Sequence, residues 1–229
     1  MARHPLEIKR LDAGSLEATI ECVARLYPGG NIIAGALGFT ADDYRPFAAR
    51  TARSTLASDS GLVVVDPADG AAVGFFFVRD LVDQLAALEA MAIDEDARIR
   101  AWGDMLGRLI TAHGETFGAP VRGQVLYINI MALDERARGR GLTHELTMRA
   151  GFEFGFERGY RSLLGVATHP RAHDYVAGTF PEWSASVEYS ILADARLNVL
   201  PGAARIVRYD IAFQQDSDFE KLFAPRPAQ

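Results

Sequence analysis

Two apolar runs, VLYINIMAL at 125–133 and SLLGVAT at 162–168, read as buried strands, and what joins them constrains the fold most. The joining segment opens on a turn at Gly139 and Gly141 and then sets Leu142, Leu146 and Ala150 at helical spacing. Phe152, Phe154 and Phe156 alternate as in a strand. The segment is nevertheless read as a helix, because it must carry the chain back from one buried strand to the next. Strand, helix and strand in that order make a βαβ unit, whose two strands lie parallel.

The remaining patterns are of mixed type. LEIKRL at 6–11 predicts a short strand. Ser15 is placed to cap a helix running to Leu26, with PGG at 28–30 ending it. Thr40 and Asp43 have the spacing of a capping box for a helix over 41–57. LVVV at 62–65 and AAVGFFFV at 71–78 flank a turn-rich DPADG and predict a hairpin. Phe75, Phe76 and Phe77 are expected in the core. Between 80 and 122 lies an enlarged helical insertion, in which Ile99, Trp102, Leu106, Leu109 and Ile110 recur at helical spacing. SVEYSIL at 186–192 and RIVRYDIAF at 205–213 predict a closing antiparallel pair. The expected architecture is α+β: a mostly antiparallel sheet with one parallel pair, flanked by helices. We expect one domain over 1–229, with its core at about 5–213 and a Pro-rich tail from 214 to 229.

Composition narrows the function. With Cys22 the lone cysteine, neither an intramolecular disulfide nor a thiolate metal cluster is available. Nothing approaches 18 consecutive apolar residues, and the first residues lack an apolar signal core, so a cytoplasmic protein without a membrane segment is expected. A net charge of −6 argues against broad nucleic-acid binding.

The positive charge gathers, however, at LDERARGRGL, residues 133–142. A helix N-terminus presents unpaired N–H groups and about half a positive charge, which suits a phosphate. Glycine removes the Cβ that would obstruct the approach, and Arg136, Arg138 and Arg140 add charge. Neither the P-loop nor the dinucleotide fingerprint fits, since the first needs a lysine here and Glu145 stands where the second needs glycine. Arginine–glycine pairs also occur in flexible RNA-binding tails, but those lack periodic apolar flanks.

The run from Arg136 to Gly141 reads R-x-x-G-x-G, which resembles the acetyl-CoA motif of the GNAT superfamily of N-acetyltransferases. The order of elements over about 5–213 resembles that family as well. The resemblance implies a sheet whose parallel strands splay apart around pantetheine, and acetyl-CoA as cosubstrate. It places the pyrophosphate on the backbone of Arg138, Gly139, Arg140, Gly141, Leu142 and Thr143. Met131 and Leu133 fall on the strand that contacts pantetheine and the thioester. Aligned on Phe180, YVAGTF at 175–180 resembles the family's Y-x-x-x-G-F, making Tyr175 the candidate acid for the departing thiolate, although Thr179 replaces the usual glycine. Tyr127 stands where vertebrate arylalkylamine acetyltransferases carry histidine. As a phenol it is a poor base at pH 7, able at most to order a water, and packing of an aromatic in the strand is the simpler account of it. Tyr127, Asn129 and Met131 are expected on one strand face.

IIAGALGFTADDYRPFA at 32–48 resembles, more weakly, a stretch of the insect-type arylalkylamine acetyltransferases, and favours a small-molecule amine acceptor. The catalytic carboxylate of that group has no counterpart in YPGGNII at 27–33. That gap keeps a second reading open, a non-catalytic acyl-CoA sensor or interaction module. His169 and His173 stand four apart, but no third ligand is evident and no metal is expected; either histidine is also a candidate base. Oligomeric state is open, a homodimer included.

Overall fold

The computed structural model of the protein describes residues 5–94, 96–179 and 183–211. Seven strands form one sheet: β1 (Glu7–Arg10), β2 (Gly61–Val65), β3 (Ala72–Asp80), β4 (Val125–Leu133), β5 (Ser162–Ala167), β6 (Trp183–Glu188) and β7 (Ala203–Asp210). Their order is β1-β2-β3-β4-β5-β7-β6, and among these neighbours only β4 and β5 are parallel. The expected α+β sheet with one parallel pair is therefore the observed one.

Helices cover both faces. On one face α1 (Leu16–Gly30), α2 (Ile32–Ala36), α3 (Ala41–Ala57), α4 (Leu81–Ala92) and α5 (Ala97–Phe117) bury a core that includes Val23, Tyr44, Phe75, Phe77, Met105 and Leu109. On the other, α6 (Leu142–Ala150) packs Leu142, Leu146 and Ala150 against Leu62, Val64 and Phe76. Six further residues, Gly151–Phe156, continue α6 as a wider π turn, with the Glu157 N–H reaching the Phe152 carbonyl five residues back. That widening explains the alternating phenylalanines: Phe154 is fully buried, while Phe156 is exposed. A last helix, α7 (Pro170–Thr179), begins at the proline, where a missing N–H costs nothing.

Four expectations need correction. Helix α1 runs through Pro28 to Gly30 and stops at Asn31, whose N–H bonds the Tyr27 carbonyl and whose side chain caps α2 through the Ile33 and Ala34 N–H groups. Pro28 falls in the last turn, so the helix loses one bond and continues. Ser15 makes no side-chain cap; its hydroxyl and N–H both go to the Asp12 carboxylate at 2.7 Å. Strand β6 ends at Glu188 rather than Leu192, because the chain turns at Tyr189–Ile191 to bury the Tyr189 ring and let its hydroxyl donate to the Thr168 carbonyl at 2.8 Å.

The fourth concerns β4. Its register with β3 slips between Phe77 and Val78, which pair with Ile130 and Ile128, so Asn129 is an extra residue, a β-bulge. The face on which Tyr127 points is continued by Ile130 and Ala132, whereas Met131 joins Ile128 and Leu133 on the opposite face. Tyr127 and Met131 thus do not share a face. Among the described residues no helix is long and apolar enough to cross a membrane.

Candidate active site

The parallel pair opens as it leaves the base of the sheet. β4 and β5 are paired only at Val125–Ser162, Leu126–Leu163 and Tyr127–Leu164. Beyond that point β4 remains bonded to β3 as far as Leu133, and β5 to β7 as far as Ala167. A wedge is left between them, edged by backbone polar groups without strand partners. Buried backbone groups require partners, so the wedge leaves donors and acceptors open to whatever fills it.

The glycine loop stands at the end of β4. Asp134 anchors it: its N–H bonds the Val73 carbonyl, and its carboxylate accepts the Arg136 N–H at 3.0 Å and the Arg25 guanidinium at 2.8 Å. Burial pushes this carboxyl up, but the Arg136 N–H and Arg25 outweigh it, and the net shift is downward. Gly139 and Gly141 follow with φ of 69° and 76°, a left-handed conformation that side-chained residues rarely adopt. A Cβ on either would meet nothing within 4 Å, so the space above the loop is open. Gly141 caps α6, whose first bonds run from the N–H groups of His144 and Glu145 back to the Gly141 carbonyl. The N–H groups of Leu142 and Thr143 precede these and have no acceptor within the helix.

The three arginines do not act alike. Arg136 is turned back onto Asp69 at 3.3 Å, Asp134 at 3.6 Å and Asp66 at 3.8 Å. It pins the loop to the β2–β3 turn rather than adding charge for an anion. Arg138 donates to the Leu133 carbonyl at 3.3 Å and is half exposed.

A cavity of about 450 Å³ adjoins the wedge on the α1–α5 side. Its β4 wall is Tyr127 to Ile130, its β5 wall Val166 and Thr168, and its outer wall comes from α3, α4 and α5. Much of the lining is aromatic. Tyr27 stacks on Trp102 at 5.6 Å with rings 2° from parallel, and on Tyr44 at 5.4 Å. Three buried polar atoms in the lining have no hydrogen-bond partner among the described residues: the Tyr44 hydroxyl, Gln84 Oε1 and Asn129 Nδ2. Arg79 also lines it, half-buried and facing Tyr127 across the β3–β4 pair. Burial lowers the proton affinity of Arg79 and raises the Tyr127 hydroxyl above its ordinary value.

The sequence-predicted residues are thus only partly brought together. Arg138 to Thr143 form one loop at the end of the wedge, and Met131 and Leu133 lie along it on β4. Tyr127 is on the cavity wall, fully buried. Tyr175 is half-buried on α7 among Ala167, Val176 and Val207, beside β5 but off the cavity wall. Phe180, on which its assignment was aligned, lies outside the described residues, as do 214–229. His173 bonds the Ala167 carbonyl through Nε2 at 3.0 Å. Among the described residues no three of His, Cys, Asp or Glu are grouped to hold a metal ion. Arg79, Gln84, Tyr44 and the Asn129 bulge carry no individual signal in the sequence, whereas Ile99, Trp102 and Leu106 in the outer wall do, through their helical spacing in the 80–122 segment.

No family model matches the sequence, and no curated protein sequence matches it either. Solved structures do. The C-terminal condensation domain of Ebony, solved with beta-alanyl-dopamine, superposes with a TM-score of 0.76 at 12% identity, over 90% of this chain and 99% of that one. Arylalkylamine N-acetyltransferase 2 from Aedes aegypti gives 0.72 at 16% identity, over 91% and 100%. A polyamine N-acetyltransferase from Drosophila melanogaster, which forms N-acetylagmatine, gives 0.72 at 15%, over 90% and 100%.

Proposed function

Since the chain has the fold of the GNAT acetyltransferases, we propose that it transfers an acetyl group from acetyl-CoA directly to the primary amine of a small molecule in the cytoplasm. The observation that carries this reading is the unpaired wedge between β4 and β5, ending on two left-handed glycines at a helix N-terminus. Pantetheine would lie along Met131 and Leu133. The pyrophosphate would sit on the backbone of Arg138, Gly139, Arg140, Gly141, Leu142 and Thr143, with the Thr143 hydroxyl beside it.

The thioester end then reaches the β4 bulge, where cavity and wedge meet. The amine attacks the thioester carbonyl carbon, the carbonyl oxygen takes up negative charge, and collapse expels the CoA thiolate. An alkyl ammonium has a pKa near 10.4, so roughly one molecule in a thousand is a free amine at pH 7 and a proton must leave first. Tyr127 is no base for it, since burial makes its phenolate still less accessible; water in the cavity carries the proton. Tyr175 is the proton donor to the thiolate in this reading. Transfer is direct because Cys22 is buried on α1 with its thiol pushed up to about 12 by burial, unsuited to forming an acetyl-enzyme.

The test is CoA thiol release from acetyl-CoA with a panel of small primary amines. Amine-dependent release is expected. Tight CoA binding without release for any amine would favour a non-catalytic acyl-CoA module, the reading that the missing carboxylate in 27–33 keeps in play.

A further inference from the structure

The cavity wall holds a cation, Arg79, whose side chain has no counter-ion at contact distance among the described residues. Arg79 makes no hydrogen bond and no ion pair among the described residues. The closest carboxylate acting on it is Asp83, itself bound to Arg122 at 2.6 Å and exposed. Among the described residues the acids that line the cavity are Asp43, Asp94 and Asp96: Asp43 and Asp96 are both engaged by Arg98, and Asp94 accepts the Asp96 N–H. A half-buried guanidinium without a counter-ion is costly, because desolvation is not offset. Its position is equally telling. Arg79 pairs with Tyr127, the last β4 residue bonded to β5, so it sits where the wedge begins and the reacting atoms converge. Gln84 and Asn129, elsewhere in the cavity lining, have a buried acceptor and a buried donor without hydrogen-bond partners among the described residues.

Taking the acetyl-transfer reading as given, we propose that the acceptor carries a carboxylate beside its amine: an amino acid with an aromatic or large apolar side chain, its carboxylate paired with Arg79. The guanidinium offers a planar, two-pronged donor set that matches a carboxylate. The Tyr27, Tyr44 and Trp102 rings take the side chain. A polyamine or agmatine would instead bring a second positive charge into the cavity holding Arg79, and a plain arylalkylamine would leave it unpaired.

The experiment compares an aromatic α-amino acid with the amine obtained by its decarboxylation. Binding of each to the CoA-loaded protein is measured by calorimetry, and kcat/KM for each in parallel. The amino acid is expected to bind at least about tenfold more tightly, as for a charge-assisted pair. In Arg79→Gln that ratio should fall to near one, and Arg79→Lys, which keeps the charge but not the fork, should recover part of it. Equal or tighter binding of the amine to the wild type, or an unchanged ratio in Arg79→Gln, overturns the proposal. Preferential binding without turnover would leave the carboxylate site standing and bring down the transfer reading alone.

Discussion

At the scale of single residues, Gly139 and Gly141 were legible because a left-handed turn before a helix leaves little choice of residue. Their surroundings refine the reason. A Cβ would strike no protein atom, so the constraint is backbone conformation and an open approach for the ligand. Gly141→Val should therefore fold yet rearrange the loop, since a β-branched residue at φ of 76° is strained by at least about 1–2 kcal/mol. CoA affinity should fall about tenfold or more, read as Kd by calorimetry; an unchanged Kd would contradict the loop's role. Tyr175→Phe tests the acid. The ring and CoA affinity should survive, and kcat should drop by about 10² to 10⁴, toward the small end because a thiolate leaves readily. Wild-type kcat across pH would remove Tyr175 from the mechanism. Arg79 was illegible for a physical reason: what sets it apart is having no counter-ion at contact distance among the described residues, which no spacing encodes.

Among elements, the capping box at the start of α3 was written in the chain and is present in full, the Asp43 N–H donating to the Thr40 hydroxyl and the Thr40 N–H to Asp43. Thr40→Ala should cost about 1 kcal/mol and lower Tm by roughly 2–4 °C in a domain of this size. A shift below one degree would mean that tertiary contacts alone fix the helix start. The strand pair around the wedge was equally readable, because local apolar runs specify it. The bulge at Asn129 was not, since it depends on how β3 meets β4, and one extra residue turns every later side chain of β4 to the other face. The helix after Gly141 was readable from the need to carry the chain back between two buried strands, but its widening into a π turn at Gly151–Phe156 was not, since the phenylalanines alternate locally.

For the molecule as a whole, acid sensitivity should trace to His113. It is buried on α5, where burial, with Arg208 nearby, pushes its pKa down to about 4. An unfolded histidine titrates near 6.5. Between those values the unfolded chain binds the proton that the folded one refuses, so stability is complete above about pH 6.5 and declines as pH falls toward about 4. Tm measured across that window should flatten in His113→Gln relative to wild type; parallel profiles would assign the loss elsewhere.

The excursion through α4 and α5 begins and ends at one carboxylate, Asp80, which accepts the Val82 N–H at its start and the Gly123 N–H at its close. β3 and β4 are bonded neighbours, so the sheet would close with a short turn in place of these two helices. What the excursion adds is the outer wall of the cavity, Trp102 and Gln84 included. Such an arrangement behaves like an interchangeable jaw on a fixed vice. A lineage could exchange residues 81–122 to reshape the cavity while the strand register and the glycine loop stay as they are.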